Sequence, residues 1–581
     1  MATWLAAWMT VAALGADRPC TVLVEARYPG ANATVIADTV AAPIEQQTAA
    51  LPHALRRRSK STDGHYVLAV SLSEKGDPKA ALTAVRERLA LAEPMLPEET
   101  RRRGVTIRLR TPPLAIIALA SPGGMYDALF LSNYADLHLK SEWQRIPGVG
   151  DVALLGKREY QLRVHLDPDR LRALNLDPGE VVKILQKETA KLGAPPSSAG
   201  LDELKKVEAF DALVLQTTVA GQSILLRDVA RLELSANEHD SVLSKGRPCV
   251  ALVIAPTADA DPATVNRRIS ETLSDVRKAL PVGMQLDADF AFPAGDSPPA
   301  AEFLAIDLQF PDGVSQDRLL HSLMAYESAL RRAAGVTNVL AFTANPLDLF
   351  SREPCLLVRL SPSIERKIST DEIERQIRVS LTRLPEAHQC LRRLPSDPRC
   401  LTFAVSGPEM EKVRMLADQC VQDWRTIDGV TEARIEGSAQ TPRIEFEIDR
   451  VKAKAMGVSI EDVANTLALV AGPTSVGEID APGRRMSLTA SLADGFRLQP
   501  ESIRALTVRN KDGHVVPLAT IVAVRQVIAP NSIERIDGKP AVRLTMNVSK
   551  TIDRSSVQGF FSRLRPELKL PADHTLIDLQ D

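Results

Sequence analysis

Aromatic residues are scarce. Phe, Trp and Tyr make up 4% of the 581 residues, too few for a stacking platform that reads nucleic-acid bases. Long greasy runs are missing. The longest stretches without Asp, Glu, Lys or Arg are Met1–Ala16 and 111–126, 16 residues each, against about 20 for a membrane-spanning helix. The second contains Pro112, Pro113 and Pro122 and reads as a strand and a turn. An excess of one charge is missing too. Lys+Arg is 71, Asp+Glu is 73, and the net charge is -2, which argues against a general binder of nucleic acid or anionic membrane.

Motifs of chemistry are also lacking. The six cysteines form no C-x-x-C pair, which excludes a zinc ribbon or thioredoxin-like site. Gly148-x-Gly150 has no third glycine for a dinucleotide loop, and Gly156-Lys157 is followed by Arg158 rather than Ser or Thr. The nine histidines have no ligand spacing, and neither H-E-x-x-H nor G-x-S-x-G occurs. No enzyme, resident metal or cofactor is expected. The triplets Arg56–Arg58 and Arg101–Arg103 read as solvated surface.

What is present is a repeat. Glu142-Trp143-Gln144-Arg145-Ile146-Pro147-Gly148-Val149 returns 281 residues later as Asp423-Trp424-Arg425-Thr426-Ile427-Asp428-Gly429-Val430. Leu166-Asp167 returns as Ile448-Asp449, and Val181 and Leu185 return as Val463 and Leu467. Leu226-Arg227-Asp228-Val229-Ala230 returns as Leu518-Ala519-Thr520-Ile521-Val522, and Gly246-Arg247-Pro248 as Gly538-Lys539-Pro540. Conserved order across two copies marks one design used twice.

Local patterns give the class. Val22, Val24 and Ala26 alternate with polar residues as in a strand. Asn32 suits a helix cap, and Ile36, Val40, Ile44 and Leu51 recur at helical steps. Tyr66, Leu68, Val70 and Leu72 form another strand. Asp77-Pro78 caps a helix whose face carries Ala81, Leu82, Val85 and Leu89. Val105, Ile107 and Leu109 alternate with Thr106, Arg108 and Arg110. The order predicts an α+β, split βαβ (ferredoxin-like) unit. Gly148, Gly335 and Gly429 each precede a β-branched residue and predict three helix-stop-then-strand junctions.

These residues resemble the periplasmic part of the resistance–nodulation–division (RND) efflux transporters, the AcrB-like family. Tyr28-Pro29-Gly30-Ala31 with Asp38-Thr39-Val40 and Ile44-Glu45-Gln46 is similar to the opening of a first porter subdomain. Pro147-Gly148-Val149-Gly150-Asp151-Val152 with Gly156 is similar to the strand entry of the next. Leu226–Ala230, then Gly246-Arg247-Pro248, resembles the end of a docking subdomain and the return to the porter. The resemblance implies two pseudo-symmetric halves of ferredoxin-like porter subdomains, each half with an inserted α+β docking subdomain. Porter subdomains would occupy 17–112 and 113–158 with 246–292, and docking 159–245. The second half would repeat this at 301–400, 401–441 with 538–581, and 442–537, after a linker at 293–300 in place of a membrane-helix block.

The resemblance also supplies sites and partners. Pro113, Leu155, Phe342 and Phe350 are the candidates for a substrate cleft taking a small apolar molecule. Met324, which shares a helix face with Leu320 and Leu323, reads as core. Gly193, Ala194, Pro195, Pro196 and Leu204 fall in the stretch matching the family's trimer arm. The implied partners are a homotrimer or an RND-type membrane subunit, a periplasmic adaptor and an outer-membrane channel. No residue can inherit the proton relay, which in the family lies in membrane helices. Met1–Ala16 resembles a secretory signal cut after Gly15, or an anchor remnant. Export would place the chain in the periplasm; otherwise it is cytoplasmic. Cys390 and Cys400 bracket a proline-containing loop and are a disulfide candidate in an oxidising compartment, with buried free thiols as the alternative. The expected role is a binding or scaffold component of an efflux assembly. A folded relic without transport is the other reading.

Overall fold

A computed structural model describes residues 21–51, 54–72, 77–192, 210–217, 221–237, 240–291, 302–311, 313–348, 350–351, 353–363, 365–394, 397, 399–437, 440–481, 484–493, 503, 506–549, 571 and 573–579. The leader, trimer-arm and linker readings at 1–16, 193–204 and 293–300 lie outside these residues. The chain divides into two compact units. One comprises 1–157, 240–441 and 530–581, and the other 158–239 and 442–529.

The first unit holds two nine-stranded sheets. One begins at Thr575–Asp578 and runs through Cys400–Ser406, Lys539–Val548, Ser532–Ile536, Ala54–Thr62, His65–Leu72 and Thr21–Arg27 to Val105–Arg110. The strand Val430–Glu436 also pairs with Lys539–Val548. This sheet therefore joins the first stretch of the chain to its last, through the antiparallel pair Ala54–Thr62 and Ser532–Ile536. The other sheet runs from Gln285–Ala291 through Ala115–Ala120, Arg247–Pro256, Val242–Ser244, Val336–Phe342, Cys355–Leu360 and Phe303–Gln309 to His388–Leu394, with Val149–Leu155 also pairing with Arg247–Pro256. Its joint is Val242–Ser244 against Val336–Phe342.

Residues 240–245 and 530–537, read above as docking, lie in the first unit because their strands complete its sheets.

Alternation decides what each strand buries. Along Arg247–Pro256, Val250, Leu252 and Ile254 meet the helices, with Trp143 and Ile269 in the same cluster. Cys249 and Ala251 point the other way, into a second cluster with Phe290, Phe303 and Phe342. A strand buried on both faces loses the polar half of its pattern, and Cys249, Val250, Ala251 and Leu252 are buried in succession there. The helix Pro78–Ala92 starts where expected, with the Asp77 carboxylate accepting from Lys79 N at 2.9 Å. Its Val85, Leu89 and Ala92 are buried one turn apart, the spacing of a single helical face. Asn32 likewise caps its helix through Val35 N. The helical segment that follows contains a π turn, Ala37–Ala41, just before Pro43. Proline has no N–H to give to the preceding turn, and a widened turn accommodates that loss.

The three predicted junctions form. Gly148, Gly335 and Gly429 have φ of 95°, 82° and 91°, and strands begin at Val149, Val336 and Val430. The left-handed backbone is one that β-carbon-bearing residues resist.

In the second unit, a four-stranded sheet runs in the order Ala230–Asn237, Glu159–Leu166, Arg484–Leu492, Thr474–Ala481. Its central pair is parallel and takes one strand from each half of the chain. The core mixes Val181 and Leu185 with Val463 and Leu467. Each inserted piece therefore buries its apolar face largely against the other.

One of the two surface readings is revised. Arg101, Arg102 and Arg103 are exposed, with Arg102 and Arg103 paired to Glu98 and Glu99. Arg56, Arg57 and Arg58 are not solvated. They are half-buried on an interior strand, with Arg57 donating to Glu45 O and the Arg58 guanidinium lying 4.3 Å from the centre of the Phe350 ring. A long apolar stem lets arginine occupy such a place.

Candidate functional site

The main cavity of the first unit has a volume of about 980 Å³. Several stretches of chain, Asp240–Val242 among them, build its three sides. The strand ends around Glu25 and Arg108–Thr111, with Asp77–Lys79, form one side. Pro113, Gly150–Leu155 and Val253–Asp259 form the second. The third is the stretch from Phe342 to Ser351.

The apolar wall comes from Pro113, Ala153, Leu155, Val242, Val253 and Phe342. Gly150 lets two segments pass closely: a β-carbon there would stand 2.8 Å from the Pro256 carbonyl oxygen. Thr111 then ties the same turn by donating to Pro256 O at 2.5 Å.

Three of the four cleft residues read from the sequence line this cavity. Phe350 does not. Its ring is buried with Leu23, Val67 and Ala69, because the loop after Phe342 turns back onto the first sheet. Met324 packs against the helix core around Leu323 and Tyr326, as its helix face indicated.

The charged part of the wall was not anticipated. Arg108 bridges Glu25 at 3.1 Å and Asp151 at 3.4 Å. Lys79 lies 3.9 Å from Asp259. Asp348 bonds the buried Arg543. Burial alone would raise the Asp348 carboxyl, but Arg543 and Arg58 outweigh it and hold it well below the usual carboxylate range. Arg110 lines the cavity as well, and burial, then the adjacent charge of Arg108, lowers its pKa. The signal for Arg108 and Arg110 was present as the polar half of an alternating strand, a pattern that ordinarily marks a solvated face.

Behind Asp348, Arg543 also meets Glu436 at 3.2 Å and Glu534 at 3.4 Å. Nearby, burial pushes Glu353 up to about 7, although Arg434 lies 3.7 Å away.

The Cys390 and Cys400 side chains lie within hydrogen-bond reach of each other. The first lies on His388–Leu394 of one sheet and the second on Cys400–Ser406 of the other. Asn547 Nδ2 donates to Cys390 Sγ at 3.2 Å.

Among the described residues, no helix is long and apolar enough to cross a membrane. A family model described as the AcrB/AcrD/AcrF family matches residues 6–291 and 300–577. The multidrug resistance protein MdtF of Escherichia coli (strain K12) is 29% identical over 284 residues, 46% of this chain and 27% of MdtF. The multidrug export protein AcrF of the same organism is 28% identical over 287 residues, 46% of this chain and 28% of AcrF. The solvent-resistant pump membrane transporter SrpB of Pseudomonas putida is 27% identical over 282 residues, 46% of this chain and 27% of SrpB. The matched stretch is thus little more than a quarter of each relative.

Proposed function

The chain belongs to the AcrB/AcrD/AcrF family, and on that premise we propose that it is a periplasmic substrate-binding component of an envelope efflux assembly. The first unit is its porter part and the second its docking part, each built from pseudo-symmetric copies contributed by the two halves. The porter copies are of ferredoxin-like type. The cavity of about 980 Å³ is the substrate site, and this single observation carries the reading. Its size suits a drug-sized molecule. Pro113, Leu155 and Phe342 supply the apolar contact. Binding there is by area rather than by a fixed set of hydrogen bonds.

A homotrimer or an RND-type membrane subunit, a periplasmic adaptor and an outer-membrane channel are the proposed partners. Any proton coupling belongs to membrane-embedded helices, since a binding cavity alone cannot drive uphill transport. The open cavity favours this reading over a folded relic without transport.

The test is direct binding. Isothermal titration with apolar drugs and dyes is expected to give saturable binding that Leu155→Arg abolishes without changing the unfolding midpoint. Absence of binding across the panel, together with no adaptor or channel recovered by cross-linking in envelope extracts, would favour the relic.

A further inference from the structure

The charges on the cavity wall are not equivalent. Glu25 and Asp151 share Arg108. Asp348 has Arg543, and Asp259 has Lys79. Asp77 is occupied as a helix cap. Asp240 is exposed. Arg110 stands apart. It is only partly exposed, and among the described residues no carboxylate lies within ion-pair distance of it. Among neighbouring charges Arg108 acts on it most strongly, with the carboxylates of Asp348, Glu25 and Asp151 acting in the opposite sense from beyond ion-pair distance. A guanidinium held out of water beside a like charge is costly. It also keeps its fork of N–H donors free for an incoming oxyanion.

Next to Arg110 the wall is apolar. Leu109, Pro113, Val253 and Phe342 line the same cavity. The site therefore offers one cationic fork without an ion-pair partner among the described residues, beside an apolar surface.

We propose that the cavity selects amphiphilic anions, with a carboxylate, sulfate or sulfonate head on Arg110 and an apolar body against Pro113, Leu155 and Phe342. This rests on the cavity being the substrate site and names the class of molecule it takes. The carboxylates of the wall do not oppose such a ligand strongly, because the partly buried ones already have partners of their own. A cationic amphiphile would instead have to displace Arg108 or Arg543 from those partners.

Two probes that differ in a single group test the idea: anilinonaphthalene sulfonate and the uncharged N-phenylnaphthylamine, titrated by fluorescence into the full chain. Mutual displacement should show that they share one site. The sulfonate is expected to bind about tenfold more tightly, the size of a charge-assisted fork contact. Arg110→Gln should remove that preference and leave the neutral probe within about twofold, and Arg110→Lys should keep part of it. Equal affinity of the two probes, independent sites, or a preference that survives in Arg110→Gln would each overturn the proposal while leaving the binding function standing. Loss of both probes in Arg110→Gln would also overturn it, since Arg110 would then hold the wall rather than the head group. Failure of both probes to bind the unmodified chain would remove the substrate site itself and this inference with it.

Discussion

Lys60 Nζ lies 3.2 Å from Glu534 Oε1, and the two residues face each other in register across the joint between the first and last stretches of the chain. Lys60 also donates to the Phe350 carbonyl. Burial on its own would raise the Glu534 carboxyl, but Arg543 and Lys60 outweigh it and hold it below the ordinary value.

Removing one member should therefore cost more than removing the pair. Glu534→Leu leaves Lys60 and Arg543 with a lost counter-charge, and is expected to destabilise the first unit by about 3–5 kcal/mol. The double change Lys60→Met, Glu534→Leu should recover much of that loss. Urea unfolding of the four chains of the cycle measures it, and additive effects would show that the pair is not coupled.

Asp177 gives the opposite pH response from Glu534. Burial raises its pKa to about 6, against the backbone N–H bonds it accepts from Gly179 and Arg509. The folded state therefore holds a proton between about pH 4 and 6 that the unfolded chain has released. The contribution is full below the unfolded pKa and is lost as pH rises through the folded one. The unfolding midpoint of the second unit should decline over that window, and Asp177→Asn should flatten the decline. A steeper decline in the variant would reject the assignment.

The repeat makes a paired prediction. Trp143 and Trp424, which match in the sequence repeat, are both fully buried, and Trp424 meets Phe403 edge-on at 5.5 Å. Truncating either to Ala should cost about 3–5 kcal/mol. A cost under about 1 kcal/mol at one site, the range of exposed positions, would mean that the two copies do not use this residue alike.

Cys390 and Cys400 should bridge under an added disulfide-forming oxidant such as diamide, which is reduced as the two thiols lose two protons and two electrons. Peptide mapping should then find a 390–400 cross-link. Iodoacetamide should label Cys390 slowly in the native chain, because its side chain is buried. Rapid labelling with no cross-link would contradict the contact between the sheets.

The sequence made the helix-to-strand junctions at Gly148, Gly335 and Gly429 legible, since they encode a backbone shape that few residues tolerate. It also made the capped helix at Asp77 and the alternation from Val22 to Ala26 legible, since both are local. It did not make legible which strand of one copy pairs with which strand of the other. Val242–Ser244 and Ser532–Ile536 looked like the tails of inserted pieces, and only long-range pairing shows that they close sheets. The cavity was legible in part for the same reason. Pro113 sits just before a strand and Leu155 and Phe342 end theirs, whereas Phe350 follows a loop whose course no local pattern sets. Arg110 escaped notice because burial of a strand's polar face depends on what covers it.

The closing of the first sheet has a consequence for synthesis. Arg57 N bonds the Asp537 side chain across 480 residues of chain, so the strand that carries Arg57 leaves the ribosome long before its neighbour exists. Until then one flank of the nascent sheet is an open edge, and contacts of such sequence separation form slowly. An open edge of that kind invites pairing with other chains. Production of this protein should thus depend on holdase chaperones more than its finished stability suggests, and supplying residues 530–581 early, by circular permutation, should relieve that dependence.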